Sequence, residues 1–215
     1  MRLLLTSAGI TTDKIADNLS ELVRKPLNEV RTAFILTAKN NRDVPAVETM
    51  SNQIAQLDER KIDYVLVDPS FDADWREKLD GVELIIIGGG NTFHLLNEAR
   101  KTGFDTWLKD NLENKVYMGT SAGSILMTPY IAIAGVDDGD ENAVDITDLT
   151  GLGFVDFEVS PHTPEDVSIE GNLEYSKTTP RKLLLLDNNS AVKVTNEIEI
   201  ISNGEWHWCE DGKLL

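Results

Sequence analysis

The sequence predicts an α/β fold: a doubly wound, mostly parallel sheet with helices on both faces and an antiparallel extension toward the C-terminal end. Three features of the 215-residue chain lead there. Short apolar runs alternate with amphipathic stretches from Leu3 to Met118, the order that builds a covered parallel sheet. The runs are continuously apolar, as strands buried on both faces are. Two of them end abruptly in glycine-rich turns, and parallel sheets gather their functional residues at such strand ends.

Leu3-Leu4-Leu5 reads as the first strand and runs into the small-residue loop Thr6-Ser7-Ala8-Gly9. Between Thr12 and Arg24, Ile15, Ala16, Leu19, Leu22 and Val23 recur at helical spacing behind a Thr12 or Asp13 cap. Ala33 to Thr37 is the next strand. A helix opened by Pro45 is expected to reach Glu59, with Val47, Met50, Ile54 and Leu57 on one face. Tyr64 to Val67 and Leu84 to Ile87 are further strands, separated by a short helix over Asp72 to Leu79. Helices through Phe93 to Ala99 and Thr106 to Leu112 precede a fifth strand, Lys115 to Met118. Beyond Tyr130 come an acidic loop at 137–141, a strand over Val155 to Val159, and a polar, poorly periodic stretch from Thr163 to Pro180 that reads as a long loop with at most one helical turn. Leu183 to Leu186, Ala191 to Val194 and Glu197 to Ile201 read as short strands, with Asn203-Gly204 a tight turn. No linker or repeat divides the chain, so one domain over 1–215 is expected, as a monomer or homodimer.

Bulk properties narrow the function. A net charge of −17 opposes nucleic acid and anionic membrane surfaces as partners. Cys209 is the single cysteine, and His94, His162 and His207 are scattered, so neither a disulfide nor a metal site is expected, and no cofactor motif occurs. Leu3 to Leu5 is too short for a signal-peptide core and no run is long enough to span a bilayer, which makes a cytoplasmic protein the expectation.

The chemistry concentrates at Gly119-Thr120-Ser121-Ala122-Gly123. G-x-S-x-G between a strand and a helix describes a nucleophile elbow, in which glycines let a sharp turn lift the serine hydroxyl clear of the backbone. The same Thr-Ser-Ala-Gly at 6–9 lacks the leading glycine, so Ser7 is not expected to act directly. Gly88-Gly89-Gly90-Asn91-Thr92 fits no nucleotide-binding spacing; it suits either a capped strand-to-helix turn or an oxyanion hole of unobstructed backbone N–H groups. A serine nucleophile needs a base, and His162 after Pro161 is the candidate. Asp187, at the end of a buried strand, needs a donor such as a histidine Nδ1–H.

Taken together, Ile86 to Leu96 and Gly119 to Gly123 resemble the serine peptidase family of peptidase E (aspartyl dipeptidase) and cyanophycinase, whose fold is like that of class I glutamine amidotransferases. Weaker matches lie at Leu3 to Gly9, Pro161-His162 and Leu186 to Val194. The resemblance implies Ser121 as nucleophile, His162 as general base, and oxyanion donors at Gly89 or Gly90 and at Ala122, with Asn91 beside them. For the third triad member it leaves Asp187 and Asp137, of which the rigid strand-end setting favours Asp187. The family's basic residue after the histidine, which holds an N-terminal aspartate, has only Lys177 or Arg181 as stand-ins here. The expected activity is hydrolysis of short peptides without cofactor or metal, with N-terminal Asp a candidate preference. A cyanophycinase-like hydrolase and a non-catalytic binder of a small metabolite on the same fold are the alternatives.

Overall fold

The structure is a computed structural model that describes residues 1–39, 50–137 and 139–215. Eleven strands are named here: β1 (Leu3–Thr6), β2 (Thr32–Ile35), β3 (Tyr64–Val67), β4 (Leu84–Ile87), β5 (Val116–Thr120), β6 (Glu158–Ser160), β7 (Leu183–Leu186), β8 (Ser190–Val194), β9 (Ile198–Ser202), β10 (Trp206–Glu210) and β11 (Lys213–Leu214). The helices are α1 (Asp13–Val23), α2 (Ser51–Glu59), α3 (Trp75–Lys78), α4 (Thr92–Thr102), α5 (Phe104–Asn111), α6 (Ala122–Leu126) and α7 (Ile169–Ser176). Seven strands form one sheet in the order β3-β2-β4-β5-β1-β8-β9. Its first five are parallel, and β8 and β9 are antiparallel additions.

Because side chains alternate along a strand, each apolar run feeds two cores. Leu3, Leu5, Ile85 and Ile87 face Phe93, Leu96, Phe104 and Leu108 of α4 and α5. Leu4, Phe34, Ile86 and Met118 face Ile15, Leu19 and Leu22 of α1 and Leu57 of α2. The predicted α1 forms with Thr12 as its cap, accepting from the Ile15 N–H at 3.2 Å. The start expected at Pro45 lies outside the described residues; within them α2 begins at Ser51, with Met50 as its cap. β3 is an edge strand, so Val65 is exposed and Tyr64 only half-buried, unlike the continuous burial its apolar sequence implies.

The expected antiparallel extension is present as β8 and β9, while Leu183–Leu186 joins a second sheet, β11-β10-β7-β6, in which β6 and β7 are parallel. One expectation for the C-terminal part is corrected. The stretch read as a loop holds α7, two turns long, whose weak amphipathicity hides it. Tertiary bonds stabilise it instead: Ser168 caps Gly171, Asp137 accepts from Ser168 N–H and Oγ–H, and Tyr175 donates to fully buried Glu158. Among the described residues no helix is long and apolar enough to cross a membrane.

Candidate active site

Five strand ends meet at one place. β5 delivers Ser121, β4 the glycine loop, β1 Ser7, β6 His162 and β7 Asn188. Parallel pairing puts Ile87 opposite Gly119, which sets the glycine loop beside the elbow.

Ser121 adopts φ 51°, ψ −111°, a left-handed conformation disfavoured for a residue with a side chain by about 1–3 kcal/mol. Its surroundings impose it. The Ser121 N–H donates to Thr6 O at 3.1 Å, the Ser124 hydroxyl to the same oxygen at 2.7 Å, and the buried Tyr117 hydroxyl to Gly123 O at 2.6 Å. Both flanking glycines are obligatory: a Cβ at Gly119 would lie 2.6 Å from the Gly123 carbonyl carbon, and one at Gly123 would lie 2.3 Å from Ile87 O.

The Ser121 Oγ lies 2.9 Å from His162 Nε2. His162 follows β6 in a left-handed conformation of its own, φ 59°. Its backbone N–H donates to Ser7 Oγ at 2.8 Å, and its carbonyl accepts from the Asp166 and Val167 N–H groups. Thus Ser7, half of a motif in sequence, holds the histidine loop.

On the far side of the ring the sequence expectation needs correcting. Neither Asp187 nor Asp137 hydrogen-bonds the imidazole. Nδ1 faces Asn188 Oδ1 at 2.6 Å, and the Asp166 carboxylate stands 4.0 Å away. Asp187, 7% exposed, instead accepts from Ser190 Oγ at 2.5 Å, Asn189 N–H at 3.0 Å and Glu205 N–H at 2.6 Å, tying the β7–β8 turn to the segment before β10. Asp137 is committed to Ser168, as described above. The tight turn decides which side chain of Asp187-Asn188-Asn189 points back at the histidine, and nothing in the composition of that tripeptide reveals it. Asn188 is well held: its N–H donates to Glu165 Oε1 at 3.0 Å and its carbonyl accepts from Thr11 Oγ1 at 2.9 Å. Asp187→Asn should accordingly lower stability by about 1–3 kcal/mol, because amide hydrogens would face bonded N–H groups. In a melting experiment Tm should drop while kcat stays within a few-fold; unchanged Tm with collapsed kcat would restore Asp187 to the triad.

The predicted oxyanion residues flank the serine. A Cβ at Gly89 would sit 3.1 Å from Ser121 Cβ, so this backbone packs closely against the serine. Gly90, at φ 144°, could carry no side chain without striking Ala38 O. Ala122 opens α6, where its N–H precedes any intrahelical acceptor. Asn91 is the cap of α4, accepting from His94 N–H at 2.8 Å while its amide donates to Glu141 O. Within the acidic loop, the Glu141 carbonyl and the Asp140 carboxylate are therefore bonded to the site. Asp140 accepts from Thr92 N–H at 2.7 Å; burial pushes its carboxyl up, with that N–H, Lys39 and His162 pulling the other way.

Ser121 and His162 stand between two cavities. One, of about 780 Å³, is bounded by Lys39, Gln53, Gly89, Asn91 and Asp140; the other, of about 570 Å³, by Ile125, Ile133, Glu165 and Asp166. Lys177 and Arg181, the cations proposed from sequence, border neither; they pair with Glu174 and Glu158. Lys39 is the lysine at the site, and its position in a short turn after β2 gave no sequence signal.

Comparisons with known proteins point to one family. An uncharacterized peptidase of Pasteurella multocida, PM1590, is 36% identical over 134 residues, covering 60% of this chain and 64% of that protein. Peptidase E of Salmonella arizonae is 30% identical over 135 residues, covering 62% of this chain and 54% of that one. The aligned region thus spans less than two thirds of these relatives' length. A crystal structure from Listeria monocytogenes EGD-e, of a protein provisionally assigned to peptidase E, superimposes with a TM-score of 0.74 at 25% identity, over 94% of this chain and 98% of that one. That of a peptidase from an acI-B1 Actinobacterium shares the fold, with a TM-score of 0.65 at 15% identity over 100% of this chain and 92% of that one. Peptidase family S51 matches residues 3–201. With a strained serine elbow, a histidine in contact with it and a family match across nearly the whole chain, this protein belongs to peptidase family S51.

Proposed function

We propose that the protein is a serine peptidase that cleaves short peptides through an acyl-enzyme. The observation that carries this reading is the 2.9 Å contact between Ser121 Oγ and His162 Nε2, made by a serine held at positive φ. When Nδ1–H donates to Asn188 Oδ1, Nε2 is left with its lone pair toward the hydroxyl, the tautomer a general base requires. Ser121 attacks the scissile carbonyl, and His162 takes the hydroxyl proton and returns it to the departing amine. Water then enters by the reverse route and releases the acid. The oxyanion forms against the amides of Gly89 or Gly90 and of Ala122.

Asn188 takes the orienting place usually held by a carboxylate. It fixes the ring without supplying charge, and among the described residues the Asp166 carboxylate stands 4.0 Å from the imidazole. Lys39 supports a preference for an acidic side chain in the larger cavity, with Asp140 available to a substrate ammonium group. N-terminal Asp is thus the first substrate to try.

Labelling with a fluorophosphonate tests the reading. Wild type should be modified at Ser121, and Ser121→Ala should abolish the signal. A dipeptide panel varying the N-terminal residue should rank Asp highest, and Lys39→Ala should flatten that ranking. An unlabelled wild type that cleaves no peptide would leave a small-molecule binder on this fold as the correct reading.

A further inference from the structure

In this structure the Gly89 N–H, one of the proposed oxyanion donors, is already occupied. The Gly89 N–H donates at 3.0 Å to Oε1 of Gln53, on α2. Gln53, Gly89 and Ser121 all line the larger cavity, and Gly89 lies against both of the others. A Cβ on Gly88 would lie 3.0 Å from that same Oε1, and one on Gly89 would lie 3.4 Å from Gln53 Nε2. The glutamine amide thus packs directly against the glycine loop, tightly at Gly88 and at ordinary contact distance at Gly89. One turn further along α2, Gln56 pins the helix to the loop after β1: its Oε1 accepts from Ile10 N–H at 2.8 Å and its Nε2 donates to Ala8 O at 3.0 Å. Met50 and Leu57 bury the same helix in the core. Gln53 is thus presented to Gly89 by an anchored element.

A glutamine carboxamide is chemically a short amide like the substrate's own. We propose that Gln53 is a built-in substrate mimic, whose carbonyl fills the Gly89 oxyanion position until a peptide carbonyl displaces it. The inference rests on Ser121 being the nucleophile and Gly89 an oxyanion donor. Gln53 is neutral, so the displacing oxygen gains as negative charge develops on it, and the exchange favours the transition state over the resting site. A carboxylate at the same place would compete far better and would oppose the oxyanion.

The rate of fluorophosphonate labelling reads this directly, because the probe's phosphoryl oxygen must take the same donors. Gln53→Ala should label about 3- to 10-fold faster than wild type, the factor that one ordinary net hydrogen bond is worth. Gln53→Glu preserves the side-chain shape and α2, and should label more slowly than wild type, increasingly so as pH rises through the carboxylate range. With peptide substrate, Gln53→Ala should lower KM and leave kcat equal or higher. Labelling of Gln53→Ala at or below the wild-type rate, or a pH-independent Gln53→Glu, would overturn the mimic while leaving the peptidase intact. A wild type that does not label at all would remove the peptidase reading and this proposal with it.

Discussion

Replacing His162 by Ala is expected to lower kcat on any cleaved peptide by about 10⁴-fold or more, with little change in KM. The hydroxyl of Ser121 is a poor nucleophile without a base, and Nε2 of His162 is the base within reach, at 2.9 Å. Since the pair acts as a unit, the Ser121→Ala/His162→Ala double variant should be no slower than either single one. The measurement is steady-state kinetics on a chromogenic peptide, with melting curves to show that each variant folds. Asn188→Ala should cost less, about 10- to 100-fold, because the backbone bond from His162 to Ser7 keeps the ring near its place after the Oδ1 acceptor is gone. Retention of activity by His162→Ala within a few-fold of wild type would show that the base lies elsewhere.

The second large effect concerns folding. Gly123→Ala is expected to destabilise the protein by about 3 kcal/mol or more, at the upper end of what overpacking costs. The added Cβ would lie 2.3 Å from Ile87 O and 3.0 Å from Ile87 C. Those atoms belong to β4, hydrogen-bonded between β2 and β5 in the middle of the sheet, and cannot recede. The Tyr117–Gly123 bond and the Ser121 conformation would be disturbed together. Soluble yield and thermal unfolding followed by circular dichroism measure this. Gly153→Ala is the control: its Cβ would meet nothing within 4 Å, so only its φ of +69° resists, at about 1 kcal/mol. An unchanged Tm for Gly123→Ala would mean that α6 can shift away from β4, and that the elbow is less constrained than its contacts imply.

The elbow was the most legible part of the molecule. Gly119, Ser121 and Gly123 are consecutive enough in sequence that their spacing alone prescribes a strand, a tight turn and a helix. The alternation of apolar runs likewise prescribed the parallel sheet, and with it the meeting of 88–92 and 119–123 at neighbouring strand ends. What stayed hidden was whatever depends on elements distant in sequence. α7 lacks a strong helical pattern because Asn172 and Tyr175 bond to partners elsewhere, Thr163 and Glu158, rather than following apolar spacing. β7 reads as an ordinary buried strand, and only pairing with β6 and β10 assigns it to a second sheet.

The succession of apolar strands and amphipathic helices up to β5, and the serine elbow that follows it, were determined by the sequence itself, because local spacing and burial pattern suffice for them. Tertiary structure decided the rest: that Asn188 rather than Asp187 meets His162, that Ser7 holds the histidine loop, and that Lys39, Asp140 and Gln53 line the site. Each of those depends on where a side chain lands after a turn or across a sheet. A shift of one residue in a turn sends a side chain to the opposite face, and no property of the residue alone records which way it went.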